Sequence, residues 1–145
     1  MSESPILNAN DRLQAFLASV PYIRFLGMRC ELAGDEMTAI LPFGQHLIGN
    51  PTLPAIHGGV LGAFMEMTAL AQLLVKEGQA RQPRVIDVSI EYLRSGRPLT
   101  TYARAEIKKV GRRIANVHVE AWQDQRAAPI AALRGHFLVT PTEKA

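Results

Sequence analysis

The chain has 145 residues, of which 48% are apolar and 20% charged, and its formal net charge is +3. This length and balance suit a single globular domain, and the basic residues are scattered without the motifs of nucleic-acid binding proteins. The single Cys30 excludes an intrachain disulfide. The first ten residues lack the basic and apolar regions of a signal peptide. We therefore expect one cytoplasmic domain over residues 1–145, acting on neither nucleic acid nor membrane.

The first predicted elements are a short helix and a hairpin. Residues 11–20 have the spacing of an amphipathic helix, with Asp11 as N-cap and Pro21 after its end. Extended runs follow at residues 28–32 and 36–42, and a Gly-Asp sequence between them is typical of a hairpin turn.

The middle of the chain predicts a loop and one long helix. Residues 43–56 hold two glycines and two prolines and indicate a loop. Residues 57–75 are almost entirely apolar, and the helix is expected to end near residues 76–78, where a lysine and a glycine suit a C-terminus. The apolar run from Val60 to Val75 is shorter than the roughly 20 residues of a membrane span. It therefore predicts a core helix that is covered on all sides.

Four extended runs without another helix make up the second half of the chain. Apolar and polar residues alternate in them, as in half-buried antiparallel strands. The first run places Ile86, Val88, Ile90 and Tyr92 on one face. The predicted fold class is α+β, with an antiparallel sheet of about five to six strands wrapped around the one long helix. The runs lie at residues 84–94, 100–110, 114–122 and 129–139.

Glu66 is the only carboxylate in the apolar helix. Carboxylates are almost never fully buried without a partner, because an isolated buried charge is expensive. No lysine or arginine stands one helical turn away; the neighbours there are Gly62, Ala63, Ala69 and Leu70. Chemistry is the leading explanation, and a structural acid bonded to backbone groups or to His57 is the alternative.

The helix start carries a second feature, His57-Gly58-Gly59, with Glu66 nine positions after the histidine. With the order of elements, this pattern resembles the hotdog-fold acyl-CoA thioesterases, in particular their PaaI-like and aryl-CoA thioesterase branch. The resemblance spans about residues 27–139 and is supported by the sequence of residues 90–94, Ile-Glu-Tyr-Leu-Arg. It implies a hotdog fold, hydrolysis of an acyl-CoA thioester to free acid and CoA without cofactor or metal, and a homodimer or homotetramer.

The resemblance also implies roles for individual residues. Glu66 occupies the place of the catalytic carboxylate, which attacks the thioester carbonyl or activates a water. Gly58 occupies the place whose backbone N–H polarises that carbonyl, and His57 and Gly59 shape the helix start. Asn50 is the nearest match to an amide that orients the water or the carboxylate. The serine or threonine that the family often has one turn after the acid is here Leu70.

Physical chemistry supports the role of the helix start and adds a constraint. Unpaired N–H groups and the helix dipole favour developing negative charge, and glycines let a carbonyl approach closely. Gly58 and Glu66 are eight residues apart, or about 12 Å along a helix at ~1.5 Å per residue. A donor and a base acting on one carbonyl must both lie within roughly 3 Å of it. We therefore expect a site shared between two subunits, in which desolvation raises the pKa of Glu66.

The sequence also offers candidate cations for the CoA phosphates, and it leaves two alternative functions open. Arg112 and Arg113, in the one dense basic cluster, are the first candidates for the phosphates, and Arg94 and Arg97 are the alternatives. His118 and His136 have no ligand-like partners, so no metal site is expected. One alternative is a hotdog hydratase or dehydratase, because the loop with His46 resembles the histidine loop of that class. The other is a non-catalytic acyl-CoA-binding module.

Overall fold

The computed structural model describes residues 8–76 and 81–140. The predicted helix end at residues 77–78 and the two ends of the predicted domain lie outside these ranges. The elements are the helices α1 (Ala9–Ser19), α2 (Pro21–Leu26) and α3 (Gly58–Lys76) and the strands β1 (Arg29–Ala33), β2 (Glu36–Leu41), β3 (Ile48–Asn50), β4 (Ala55–Ile56), β5 (Arg84–Tyr92), β6 (Thr101–Val110), β7 (Ile114–Trp122) and β8 (Ala131–Leu138).

The N-terminal helix begins earlier than predicted. Its N-cap is Asn8, whose side-chain oxygen accepts a hydrogen bond of 2.8 Å from the N–H of Asp11. Asp11 is therefore not the cap but an acid in the first turn, where it suits the helix dipole. Pro21 does follow the helix, and it also opens α2, because proline is well tolerated at a first helical position. Gly27, with φ of 77°, ends α2 in the left-handed region.

Six strands form one antiparallel sheet in the order β1-β2-β6-β7-β8-β5. This confirms the predicted α+β class and the predicted strand number. The loop before α3 is more ordered than predicted, because β3 and β4 form a separate two-stranded ribbon within it. Strand β5, which follows α3 in sequence, lies at an edge of the sheet and pairs with β8. Its other side is an open edge among the described residues.

The long helix packs against the inner face of the sheet, chiefly on β6, β7 and β8. Small side chains on that face, such as Ala103, Ala115 and Ala121, are fully buried and let the helix approach closely. Phe64 and Met65 of α3 are buried without residual exposure. Among the described residues, α3 is the one helix whose length and composition would suit a membrane span, yet 67% of the corresponding window is buried within the fold.

The prediction that α3 is covered on all sides is wrong in one respect. A stripe along the helix remains half-buried or exposed in the single chain, because no element of the described chain lies over it. This stripe, which we call the uncovered stripe, consists of Gly59, Ala63, Glu66 and Met67. The acid thus lies on the part of the helix that the chain leaves partly open.

The edge strand β5 also departs from the predicted alternation. Val85 pairs with Phe137 and Asp87 with His136, so Ile86 is an extra residue that forms a β-bulge. The bulge turns Ile86 outward, where 49% of its surface is exposed, and leaves Val85, Val88 and Ile90 packed against the core. The prediction that Ile86 shares the inner face is therefore wrong, because pairing with β8 overrides the local pattern.

Candidate active site

Residue 57 anchors the start of α3 through several hydrogen bonds. The N–H of His57 donates to the carbonyl of Leu47 at 2.8 Å, which ties the helix start to the preceding loop. Its carbonyl accepts from the N–H groups of Val60 and Leu61 at 2.9 and 3.2 Å. Its Nδ1 accepts from the N–H of Gly59 at 2.9 Å, so the imidazole caps the helix as an N-cap side chain does. This bond requires an unprotonated Nδ1 and leaves the neutral ring's proton on Nε2.

Gly58 supplies a free N–H at this helix start. The described residues contain no acceptor for that N–H, as is usual for the first donors of a helix. Its carbonyl accepts a hydrogen bond of 2.7 Å from the hydroxyl of Tyr92. A Cβ at residue 58 would lie 3.3 Å from the Tyr92 ring, so glycine permits this close contact. The helix start therefore presents one unbonded donor beside a fixed carbonyl.

Glu66 lies two turns further along the same face. Gly58, Gly62 and Glu66 follow one another at intervals of four residues, and a Cβ at Gly62 would lie 2.8 Å from the Ile90 side chain on β5. The face that carries the acid therefore runs along the edge strand. Glu66 is half-buried, and no group in the described chain forms a hydrogen bond or an ion pair with its carboxylate. Burial raises the pKa of Glu66, because desolvation disfavours its charged form.

A cleft of about 380 Å³ opens beside the helix start. Gly58, Tyr92 and the apolar side chains of Ile56 and Leu61 line it. Arg94 lines the same cleft, and its side chain has no hydrogen-bond or ion-pair partner within the described chain. The structure thus brings Gly58 and one of the predicted phosphate-binding cations to the same cleft.

Asn50 is close to the helix start in the fold, but its side chain is engaged elsewhere. Its carboxamide oxygen accepts from the N–H of Thr52 at 3.0 Å and from the Thr52 hydroxyl at 2.7 Å, which closes a local turn. It makes no hydrogen bond to Glu66 within the described chain. The neighbouring Gly49 packs directly on the His57 ring, where a Cβ would lie 2.8 Å from ring Cδ2.

Arg97, the other alternative cation, forms an ion pair with Asp124. Arg112 and Arg113, the first candidates for the phosphates, lie far from Gly58 in the same chain. Arg112 and Arg113 are exposed in the turn before β7, whose first residue pairs with Leu138, which in turn pairs with Arg84 at the start of β5. The cleft lies at the opposite end of β5, about 25 Å away at ~3.3 Å per residue. Within one chain the structure therefore does not bring Arg112 or Arg113 to the candidate site.

The histidine on which the dehydratase alternative depends has partners of its own. The Nε2 of His46 bonds to the carbonyl of Phe25 at 2.8 Å, and its ring packs edge-on against the Phe25 ring at 4.9 Å between centroids. No group of three histidine, cysteine or acidic side chains within residues 8–76 and 81–140 is placed to hold a metal ion.

Two contributors to the site were missed from the sequence. The strand pattern predicts that Tyr92 shares a face with Ile86, Val88 and Ile90, but it does not predict the hydrogen bond from its hydroxyl to Gly58. The loop composition predicts no contact for Gly49, which packs on His57. A signal for Tyr92 was present, because a tyrosine at the end of a strand carries a polar tip that needs a hydrogen-bond partner. Nothing in the sequence around Gly49 indicates its contact with His57, since that contact depends on how the loop folds.

Comparisons with known proteins show the family and the fold of the chain. Residues 53–130 match the sequence profile of the thioesterase superfamily. The chain is 25% identical over 141 residues to an Escherichia coli protein named medium/long-chain acyl-CoA thioesterase YigI, with 85% of this chain and 91% of that protein covered. A crystal structure from Chromobacterium violaceum is 38% identical, with a TM-score of 0.74 and coverage of 93% and 98%. The E. coli PaaI protein from the phenylacetic acid degradation operon, 18% identical over 90% and 92% of the chains, superposes with a TM-score of 0.78 and shares the fold.

Proposed function

This chain belongs to the thioesterase superfamily, and we propose that it hydrolyses the thioester of an acyl-CoA to the free acid and CoA. The observation that carries the proposal concerns two groups on one helix that have no partner within residues 8–76 and 81–140: the N–H of Gly58 at its start and the carboxylate of Glu66 further along. A donor for a carbonyl oxygen and a base or nucleophile are the two groups that acyl transfer requires. The similarity to an acyl-CoA thioesterase supports the same reaction class.

The two groups divide the chemistry between them. The N–H of Gly58 donates to the thioester oxygen as that oxygen gains negative charge, and the helix dipole favours the charge. Glu66 either takes a proton from a water whose oxygen bonds to the carbonyl carbon, or bonds to that carbon itself and forms an anhydride that water then cleaves. In both routes the carbon–sulfur bond breaks, and CoA leaves as a thiolate that takes up a proton.

We propose that the site is shared between two copies of the chain. Gly58 and Glu66 of one chain are separated by about 12 Å of helix, too far to act on one carbonyl. The uncovered stripe and the open edge of β5 lie next to each other, so a second copy placed on them covers both. In that arrangement Glu66 of one subunit faces Gly58 of the other, and further burial raises the pKa of Glu66 beyond its value in the single chain.

The substrate assignment rests on the cleft and on the named relative. Apolar walls at Ile56 and Leu61 suit the alkyl parts of the substrate, and Arg94 at the rim suits a CoA phosphate. Arg112 and Arg113 stay predictions as phosphate contacts, since they lie at the other end of the sheet in one chain. Because the E. coli relative is named a medium/long-chain acyl-CoA thioesterase, we propose straight-chain acyl groups of that length as the first substrates to examine.

The proposed function is tested by a thiol-release screen. Purified protein is mixed with short, medium and long straight-chain acyl-CoAs and with aryl-CoAs, and free CoA is measured with a thiol reagent. Burial raises the pKa of Cys30 to about 12, so the protein's own thiol contributes little background. We expect thiol release from at least one acyl-CoA. Hydration of an enoyl-CoA without any thiol release identifies the hydratase alternative, and binding without either reaction identifies the acyl-CoA-binding module.

A further inference from the structure

Tyr92, the last residue of β5, joins the sheet edge to the start of α3. Its hydroxyl donates to the carbonyl of Gly58 at 2.7 Å, and its ring lies against the space where a Cβ of residue 58 would stand. Although the backbone of Tyr92 pairs with Ala131 of β8, 54% of the Tyr92 surface is exposed. Packing therefore accounts for only part of this residue's environment, and the bond to Gly58 is the one hydrogen bond of its side chain in the described chain.

The bond acts on a peptide group that is held from both sides. The carbonyl of Gly58 and the N–H of Gly59 belong to the same peptide group. Tyr92 binds the carbonyl, and Nδ1 of His57 accepts from the N–H at 2.9 Å. The preceding peptide group has its carbonyl, that of His57, bonded to the N–H groups of Val60 and Leu61. The N–H of Gly58 is left as the one free group of these two peptides among the described residues.

We call the two hydrogen bonds that Tyr92 and His57 make to this peptide group the clamp. A restraint of this kind has a physical purpose at the start of the helix. Two successive glycines have more backbone freedom than any other pair of residues, and the first turn of a helix is where helices fray. A donor stabilises a developing negative charge best when its direction is fixed before the reaction. Tyr92 restrains the glycine pair from the sheet, whereas His57 restrains it from within the helix.

We propose that Tyr92 is a positioning residue, whose hydroxyl fixes the orientation of the Gly58 N–H for the thioester carbonyl. This inference rests on the proposed function, because it assigns a role in the same site. Tyr92 does not touch the reacting atoms; it acts through the carbonyl of Gly58. Its hydroxyl should therefore matter more to the transition state, where the carbonyl oxygen carries charge, than to the bound substrate.

The experiment compares Tyr92→Phe, which removes only the hydroxyl, with Tyr102→Phe as a matched control. Tyr102 stacks on Trp122, and its hydroxyl has no hydrogen bond within the described residues. We expect Tyr92→Phe to lower kcat about tenfold, the size of one hydrogen bond's effect, while KM stays within about twofold. The affinity for a trifluoromethyl ketone analogue of acyl-CoA, which forms an oxyanion, should fall by the same factor. The affinity for a thioether analogue, which has no carbonyl, should not change.

A second measurement separates this inference from the proposed function. Backbone amide resonances of Gly58 and Gly59 report the clamp directly in the intact protein, whether or not a substrate has been found. Shifts of both resonances in Tyr92→Phe but not in Tyr102→Phe support the clamp even if no acyl-CoA is hydrolysed, a result that would reject the proposed function alone. Unchanged resonances overturn the clamp. Shifted resonances with an unchanged kcat, or a fall in melting temperature that accounts for all lost activity, overturn the positioning role.

Discussion

The start of α3 and its middle differ in how their polar groups are hydrogen-bonded. At the start, the backbone N–H, the carbonyl and Nδ1 of His57 are all bonded within the chain, and Tyr92 binds the next carbonyl. In the middle, the carboxylate of Glu66 has no bond to any described group. The chain therefore holds the turn around Gly58 by its own hydrogen bonds and leaves the carboxylate of Glu66 without a bonded partner among the described residues.

This contrast shows where precision is needed before the reaction. A hydrogen-bond donor stabilises developing charge best when its direction is fixed in advance, and under the proposed function the bonds around Gly58 serve this purpose. A base must be reactive rather than satisfied, and an acid held by several donors would have a lowered pKa and a weak tendency to take a proton. Four experiments test this contrast, and the one with the largest expected effect concerns the acid.

Glu66→Gln keeps the size of the side chain but removes its ability to take a proton or attack a carbon. We expect kcat to fall about 1000-fold, within the usual range for loss of a general base. The affinity for a thioether analogue of acyl-CoA should stay unchanged. Glu91→Gln, on the exposed face of β5, is the matched control and should keep full activity. A Glu66→Gln enzyme with more than a tenth of the original kcat would remove this residue from the mechanism.

A mixed dimer tests whether Gly58 of one subunit and Glu66 of the other form one site. Glu66→Gln and Gly58→Pro are each expected to be inactive; the second removes the N–H, and its ring also crowds Tyr92, whose ring lies 3.3 Å from a Cβ at this position. The two variants are co-expressed with different tags and purified as the heterodimer. One of its two sites then combines an intact Gly58 with an intact Glu66, so turnover should recover to about half that of the original enzyme. No recovery in a folded heterodimer would place both groups in one chain.

The cap at the helix start is tested through the free energy of unfolding. His57→Ala removes the acceptor of the Gly59 N–H, and we expect a loss of about 1 kcal/mol, as for other N-cap residues. His57→Asn supplies another side-chain acceptor and should restore most of the loss. Urea unfolding of the three proteins checks this. Equal stability of His57→Ala and the unaltered chain would show that water replaces the imidazole at no cost.

The smallest expected effect is a difference in pH dependence. Because burial raises the pKa of Glu66 above the ordinary 4.5, the folded state holds this proton more tightly than the unfolded one. The resulting stability is present below pH 4.5 and is lost as the pH rises through the folded-state pKa. Glu66→Gln should therefore flatten the decline in melting temperature above that range. The change should be small, since Glu66 is only half-buried.

Asp35 provides a control of opposite sign for that measurement. The side chain of Lys76 donates a hydrogen bond to its carboxylate at 2.8 Å and lowers the pKa of Asp35. Stability from this group is present above the ordinary pKa and is lost as the pH falls through the lowered value. Asp35→Asn should therefore lose stability at neutral pH and not in strong acid. Parallel pH profiles for the two variants would contradict both assignments.

Much of the fold could be predicted from the sequence, because burial imposes its period on each element. Alternation at residues 100–110 and 114–122 predicts two of the strands, and the apolar run after residue 57 predicts the helix; the structure has all three. The pattern does not predict helix α2, because Pro21 marks the end of one helix although it also begins the next. The bulge at Ile86 was missed since it depends on pairing with another strand.

The candidate site shows a similar division between local and non-local information. The positions of Gly58 and Glu66 on one helix follow from their spacing, and the structure places both on α3. The Tyr92 contact joins residues 34 positions apart in the sequence, and no local pattern specifies it. The Asn50 carboxamide closes a turn with Thr52, because a short side chain bonds most readily to groups two residues on. The roles of these residues stay predictions until the variants are made.

The bulge in β5 has a consequence for how this strand tolerates insertions and deletions. Successive side chains on a strand point to opposite faces of the sheet, yet Val85 and Val88, which are three positions apart, both point to the core. The extra residue at 86 shifts the alternation by one position, so that both halves of the strand present apolar side chains to the core. Deleting it would force one half to turn over, and Tyr92 belongs to the half with Val88. An insertion or deletion at the first residues of β5 would therefore turn over Tyr92, six residues downstream of the bulge, and break its hydrogen bond to Gly58 at the helix start.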